Sequence, residues 1–115
     1  ERANFPGAHQ FAEAFTASYG QAPGYHAALA YAGGQVLASA IKTAGSLDRE
    51  KVRTALFGMD TMTIIGRYGV DQTGKQIRQH NFVIQWQGGK MEIVWPAAVR
   101  SAAPLFDVAP ADTTR

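Results

Sequence analysis

Residues 25 to 44 form a helical pattern in which apolar side chains occupy almost the whole circumference. Its two apolar rows are Leu29, Gly33, Val36, Ala40 and Ala44, and Ala30, Gly34, Leu37 and Ile41, which leave Gln35, Ser39, Lys42 and Thr43 as a narrow polar stripe. A helix of this kind is covered by other elements on almost every side. Each of its adjacent glycines costs about 1 kcal/mol relative to alanine, which predicts a close backbone approach by a neighbouring element.

Three helices are predicted in the first half of the chain, over residues 8 to 19, 25 to 44 and 48 to 57. The first ends before Gly20, which suits the left-handed position after a helix, and Pro23 follows shortly afterwards. The third begins at Asp48, a favourable N-cap residue, and Leu47 is placed to pack against Val52 across that cap.

The hydrophobic period changes from helical to alternating near residue 60, which predicts strands over residues 63 to 70, 80 to 87 and 90 to 95. The last two form a hairpin about the Gly88-Gly89 turn. Alternation places Trp86 and Trp95 with Phe82, Ile84, Met91 and Ile93 on one face, which we assign to core packing. After Pro96 the chain is rich in alanine and proline and predicts a loose tail. The fold class is therefore α/β.

Composition excludes several classes of function. The net charge of +2 comes from basic residues that are scattered along the chain, whereas a nucleic-acid surface needs them clustered. Cysteine is absent, which removes disulfides, thiolate metal sites and thiol catalysis. The chain contains no apolar run of the length that spans a membrane.

Catalytic and cofactor motifs are also missing. The histidines His9, His26 and His80 lack the spacing of a metal site, and neither a Walker loop nor a nucleophile elbow occurs. Asp60 and Asp71 flank a glycine-broken strand and are typical of turn-stabilising carboxylates rather than of a hydrolytic pair. We expect no enzymatic activity, no metal and no cofactor.

Several short segments, in order along the chain, resemble a known family. They are the helix from Phe11 to Tyr19 followed by Gly-x-x-Pro, Tyr31-Ala-Gly-Gly-Gln-Val-Leu-Ala, Ala44-Gly-Ser-Leu-Asp followed by Val52 and Ala55-Leu56, Gly66-Arg-Tyr-Gly-Val-Asp with Gly74, and Gln85-Trp-Gln-Gly-Gly-Lys followed by Val94-Trp-Pro. Their order and spacing resemble the C-terminal part of the type I periplasmic binding proteins, the substrate-binding subunits of branched-chain amino acid ABC transporters.

The resemblance implies a solute-binding component of an ABC transporter, in the periplasm, present here as a C-terminal fragment. Residues 1–96 would belong to the ligand-binding domain and residues 97–115 to a tail. Two lobes would close over a small ligand, an amino acid or a related hydrophobic or aromatic acid, and a membrane permease would recognise the closed form. An extracytoplasmic ligand-sensing receptor of the same fold is the alternative, and an enzyme of another type is a third possibility. The segment from Gly66 to Asp71 resembles a crossing between the lobes, where its glycines could serve as a hinge or mark a simple bulge.

Tyr25 and His26 are the candidate ligand-binding residues. They follow Pro23-Gly24 at the start of the long helix, and only this first turn is free to face a cleft. The resemblance implies the same position, since residues near this helix start approach the ligand in that family. The structural alternative is that both are solvated surface residues. Because a fragment would leave the rows through Leu29 and Leu37 partly uncovered, we also expect self-association, strand exchange or a companion chain.

Overall fold

The computed structural model describes residues 5 to 79 and 81 to 106. Three helices, α1 (Ala8–Tyr19), α2 (Tyr25–Ala44) and α3 (Arg49–Gly58), precede four strands, β1 (Thr61–Thr63), β2 (Gly66–Tyr68), β3 (Val83–Gln87) and β4 (Lys90–Trp95). The predicted α/β organisation is confirmed. The chain divides into two compact units between residues 80 and 81. The predicted strand start at His80 and the tail residues 107 to 115 lie outside the described residues.

The helix ends follow from their capping residues. Gly20 and Gly45 both have positive φ, at 69° and 59°, and so end α1 and α2 in the left-handed conformation that glycine adopts without steric cost. The Asp48 carboxylate accepts a hydrogen bond of 3.0 Å from the backbone N–H of Lys51 and caps α3. The predicted helix bounds are thus correct to within one residue. None of the described helices is long and apolar enough to cross a bilayer.

Helix α2 is covered on part of its surface by α3 and by β1. Ala32, which lines the groove beside the hairpin, is 3% exposed, and Ala40 is 0% exposed. Leu29 and Leu37 are 43% and 51% exposed. The apolar rows are therefore only partly covered, as expected for a chain this short.

The paired glycines of α2 have no close neighbour among the described residues. A Cβ atom built at Gly33 or at Gly34 would meet nothing within 4 Å. The close backbone approach that this pair predicts is absent from the part of the chain that the structure describes, so its local cost is not offset there.

The prediction of one continuous strand over residues 63 to 70 is wrong, because this segment contains the turn and the second strand of a hairpin. β1 and β2 pair antiparallel about a two-residue turn at Ile64 and Ile65. The buried Thr63 hydroxyl donates a hydrogen bond of 2.7 Å to the carbonyl of Gly66 and so closes this turn. Sequence reasoning missed the reversal because two β-branched residues are typical of a strand and rarely form a turn.

A side-chain hydrogen bond connects the hairpin to α2. The Gln35 amide oxygen accepts a hydrogen bond of 3.0 Å from the backbone N–H of Ile64. Ile64 is only 4% exposed, so without Gln35 this N–H would be buried without a partner. Gln35, on the polar stripe of α2, therefore contacts the hairpin turn.

In the second unit, β3 and β4 form the predicted hairpin. The assignment of its apolar face to the core is wrong for the described chain, because Trp86 is 71% and Trp95 58% exposed. Ile84 and Met91 on the same face are also more than half exposed. Val94, which the alternation places on the opposite face, is buried, since residues 101 to 105 are bonded along that side.

Two glutamines of β3 hold this following segment. The Gln85 side-chain amide both donates to the carbonyl of Leu105, at 2.7 Å, and accepts from its N–H, at 2.9 Å, so it imitates a strand partner. Gln87 donates to the carbonyl of Ala103 at 2.8 Å. On β4, the Glu92 carboxylate accepts a hydrogen bond from the Ser101 hydroxyl. Residues 101 to 105 are therefore held by hydrogen bonds to the hairpin, and the prediction of a loose tail after Pro96 is wrong for this stretch.

We predict that Gln35→Ala speeds hydrogen exchange of the Ile64 amide by about tenfold or more, because a lost partner for a buried N–H costs about 1–3 kcal/mol. Exchange followed by NMR measures this directly. Gln35→Glu keeps an acceptor oxygen and serves as the control, with protection close to that of the original chain. Equal exchange in the alanine variant and the original chain would contradict the role assigned to Gln35.

Candidate functional site

The predicted ligand-binding residues form an exposed aromatic pair at the start of α2. Gly24 precedes the helix in an extended conformation and has no side chain to cap it. Tyr25 is 68% exposed, and its ring stacks on the His26 imidazole with a centroid separation of 3.9 Å. None of the hydrogen bonds found among residues 5 to 79 and 81 to 106 involves either side chain. The pair thus offers an apolar face, a hydroxyl and an imidazole to solvent.

An apolar groove of about 220 Å³ lies between α2 and the first hairpin. The helix contributes Leu29, Ala32, Gly33 and Val36, the hairpin contributes Thr63 and residues 65 to 68, and the segment after it contributes Gln76 and Gln79. One wall is therefore aliphatic, and the opposite wall carries side-chain amides and a tyrosine. Sites for small molecules commonly combine an apolar wall with a few polar groups in this way.

Of the aromatic pair, Tyr25 shares a helical face with the groove-lining Leu29, although neither Tyr25 nor His26 is among the residues that line the groove. Tyr25 lies one turn before Leu29, and residues four apart on a helix are neighbours on its surface. The row continues from Leu29 to Ala32 and Val36 along the groove wall. A ligand that contacts Tyr25 can therefore extend an apolar group towards Leu29.

The arginine at the groove is already paired. Arg67 donates to both carboxylate oxygens of Asp60, with 2.9 Å between its terminal nitrogen and Oδ2. Arg78 also approaches this carboxylate, at 3.7 Å. Both arginines are about half exposed, so such pairs contribute roughly 0–1 kcal/mol each to stability. Their main effect is that the Asp60 carboxylate offsets positive charge beside the groove. The Arg67–Asp60 pair also links the residue before β1 to β2.

Local structure explains why glycine occupies positions 66 and 69 in the segment predicted to cross between the lobes. Gly66 follows the hairpin turn with a φ of 131°, which side chains rarely adopt. A Cβ atom at Gly69 would lie 2.6 Å from Cγ of Arg78, so a larger residue would displace that arginine. The Gln76 amide oxygen also accepts hydrogen bonds of 3.0 Å from the N–H groups of Gly69 and Arg78. Turn geometry and close packing thus account for both glycines.

Asp71 stabilises the next turn, as its sequence position indicates. Its Oδ1 accepts hydrogen bonds from the hydroxyl of Thr73 at 2.6 Å, from the N–H of Thr73 at 2.8 Å and from the N–H of Lys75 at 3.1 Å. These bonds favour the charged carboxylate, and the Thr73 hydroxyl contributes most to lowering the pKa of Asp71 below its ordinary value of 3.8. Asp60 and Asp71 thus have separate structural partners.

The groove adds residues that sequence reasoning did not assign to the site. Leu29 belongs to an apolar row and was predicted to be a core residue, and Gln76 and Gln79 follow a turn without any recognisable motif. Only the folding of the hairpin back onto α2 brings them together. Among the described residues that line the groove there is neither a histidine nor a carboxylate, and the Thr63 hydroxyl donates to the Gly66 carbonyl. The aliphatic wall can accommodate an apolar group.

Comparison with known proteins agrees with the resemblance noted in the sequence. The family profile described as periplasmic binding protein matches residues 1 to 90. The chain is 33% identical over 99 residues to the Leu/Ile/Val-binding protein homolog 7 of Brucella suis biovar 1, a match covering 81% of this chain and 25% of that protein. Homologs of the same name from Brucella melitensis biotype 1 and Brucella abortus are 31% and 33% identical, with the same coverage of both chains. No solved structure matches the chain.

The chain belongs to the periplasmic binding protein family. It spans about a quarter of the length of the curated relatives that it matches. These relatives are named as binding proteins.

We predict that Thr73→Ala raises the pKa of Asp71 towards 3.8, because it removes the hydroxyl that contributes most to the lowering. Since the folded pKa is lowered, the stabilisation by this carboxylate is present above pH 3.8 and is lost as the pH falls through the folded value. An NMR titration of the carboxyl carbon measures the shift. Gln72→Ala is the control, and an unchanged Asp71 titration in Thr73→Ala would refute the assignment.

Proposed function

We propose that this chain is part of the solute-binding component of an ABC transporter, which binds a small amino-acid-like ligand between two lobes. The observation that carries the proposal is the match of residues 1 to 90 to the periplasmic binding protein family. Three relatives are named Leu/Ile/Val-binding protein homologs, which supports an aliphatic amino acid as the ligand. A related hydrophobic or aromatic acid fits the same proposal.

The groove geometry supports a division of roles within the site. Tyr25 and His26 contact the ligand at the open end of α2, where their exposed faces are available. Leu29 and Val36 line the aliphatic wall and suit a branched apolar side chain. The charged groups of an amino acid need partners that the described groove does not offer, because its arginine is paired with Asp60. The rest of the full-length protein supplies them in this proposal.

The proposed mechanism is binding without chemistry. Closure of two lobes buries the ligand, and a membrane permease recognises the closed form. In this proposal residues 1–96 belong to the ligand-binding domain, residues 97–115 form its tail, and the protein acts in the periplasm.

We predict that Tyr25→Ala in the full-length protein weakens binding of L-leucine by roughly 1–3 kcal/mol, the range for losing an aromatic anchor. The melting temperature of the unliganded protein changes little, because Tyr25 is 68% exposed. His26→Ala has a smaller effect in the same direction. Isothermal titration calorimetry with L-leucine, L-isoleucine, L-valine and L-phenylalanine measures both variants.

Tyr19→Ala is the matched control for this experiment. Tyr19 is also 68% exposed and also stacks on a neighbouring ring, that of Phe15, but lies at the other end of a different helix. Its replacement leaves affinity unchanged. Equal affinities in Tyr25→Ala, His26→Ala and the original protein would return both residues to a surface role.

We predict that the isolated chain self-associates, because Leu29 and Leu37 are half exposed and an open apolar surface gains free energy when covered. Sedimentation velocity over a range of concentrations measures the assembly. The double variant Leu29→Ser/Leu37→Ser shifts the population towards monomer. A compact monomer of the original chain that unfolds cooperatively would contradict this expectation.

A further inference from the structure

Gly33 and Gly34 lie in the interior of α2, where glycine is the least favourable residue apart from proline. Neither of them has a positive φ, so the backbone conformation does not require glycine at these positions. A Cβ atom at either position would meet nothing within 4 Å. Crowding among the described residues therefore does not require glycine there either.

The two glycines differ in what they face. Gly33 lines the groove of about 220 Å³ beside β1 and β2, whereas Gly34 is not among the residues that line it. The open space beside Gly33 is therefore part of the groove, and a side chain at this position would occupy some of it. Because pockets that hold small ligands usually measure about 300–1,000 Å³, this groove has little volume to lose.

Gly33 lies between two larger residues of the same groove wall. Leu29 precedes it by four residues and Val36 follows it by three, and residues at these spacings are neighbours on a helix surface. The wall between them is formed by Gly33 and by Ala32, which is almost fully buried. The aliphatic wall therefore has a notch at Gly33, with a larger aliphatic side chain on either side.

We propose that Gly33 determines which apolar side chains the groove admits, because its notch receives the branched methyl groups of an aliphatic amino acid. A methyl group gains free energy when apolar atoms surround it, and Leu29 and Val36 supply such atoms on both sides. Glycine lowers the stability of α2, and a loss of stability in exchange for binding is common at functional sites. This proposal rests on the proposed function, since it names a residue that sets the ligand specificity of that site.

Isothermal titration calorimetry on the full-length protein with L-leucine and L-valine tests the proposal. Gly33→Ala lowers the affinity for L-leucine by about tenfold, because the additional methyl group occupies the notch. The loss is smaller for L-valine, whose shorter side chain reaches less far into the notch. Gly34→Ala is the matched control, since it makes the same change one residue away, outside the groove lining, and leaves both affinities unchanged. Equal losses for the two amino acids in Gly33→Ala overturn the proposal.

Thermal melting of the unliganded variants separates this role from a structural one. Gly33→Ala does not lower the melting temperature, because alanine is the better helix former and its Cβ meets nothing within 4 Å. A lowered melting temperature assigns Gly33 to packing against the remainder of the polypeptide and overturns the proposal. Equal losses of affinity in Gly33→Ala and Gly34→Ala also overturn it, because the effect then comes from the helix as a whole.

The same titrations distinguish failure of this proposal from failure of the proposed function. If the original protein and Gly33→Ala bind L-leucine equally well, the specificity role is overturned and the solute-binding role stands. Binding of L-phenylalanine but of neither aliphatic amino acid has the same consequence. If the original protein binds none of these amino acids, the proposed function fails and the notch has no ligand to select.

Discussion

The hydrogen bond between the Gln35 side chain and the Ile64 backbone connects the long helix to the hairpin that follows the helices. The side chain of Gln35, a polar residue on a largely apolar helix, provides the hydrogen-bond acceptor for the N–H of Ile64, a residue that is almost completely buried. This hydrogen bond lies beside the groove, whose second wall is formed by the hairpin. Ala32 and Ala40 are the best-covered residues of α2.

Much of the apolar surface of this chain is left open. Helix α2 exposes Leu29 and Leu37, and the second hairpin exposes both tryptophans. A chain that spans about a quarter of its relatives has few elements with which to cover these faces. The exposed rows of α2 and the glycine pair without a neighbour are therefore consistent with a unit adapted to pack against more polypeptide than these residues provide.

The candidate site has the chemistry of a binding surface. Its polar groups are committed to structural roles, since Arg67 pairs with Asp60, the Gln76 amide oxygen accepts two backbone N–H groups, and the Thr63 hydroxyl closes a turn. What remains available is an aliphatic wall and the stacked pair of Tyr25 and His26. Such a surface recognises shape and apolar area.

Local pattern by itself determined the three helices, their glycine and aspartate caps, the second hairpin and the family, because capping and periodicity depend on residues that are close in sequence. Tertiary structure decided the rest. It turned the predicted strand at Thr63 into a hairpin, placed Gln35 under Ile64 and brought Leu29 to Gln76. It also left Trp86 and Trp95 exposed where alternation indicated a core. Alternation identifies which side chains share a face, but whether that face is buried depends on what the rest of the polypeptide places against it.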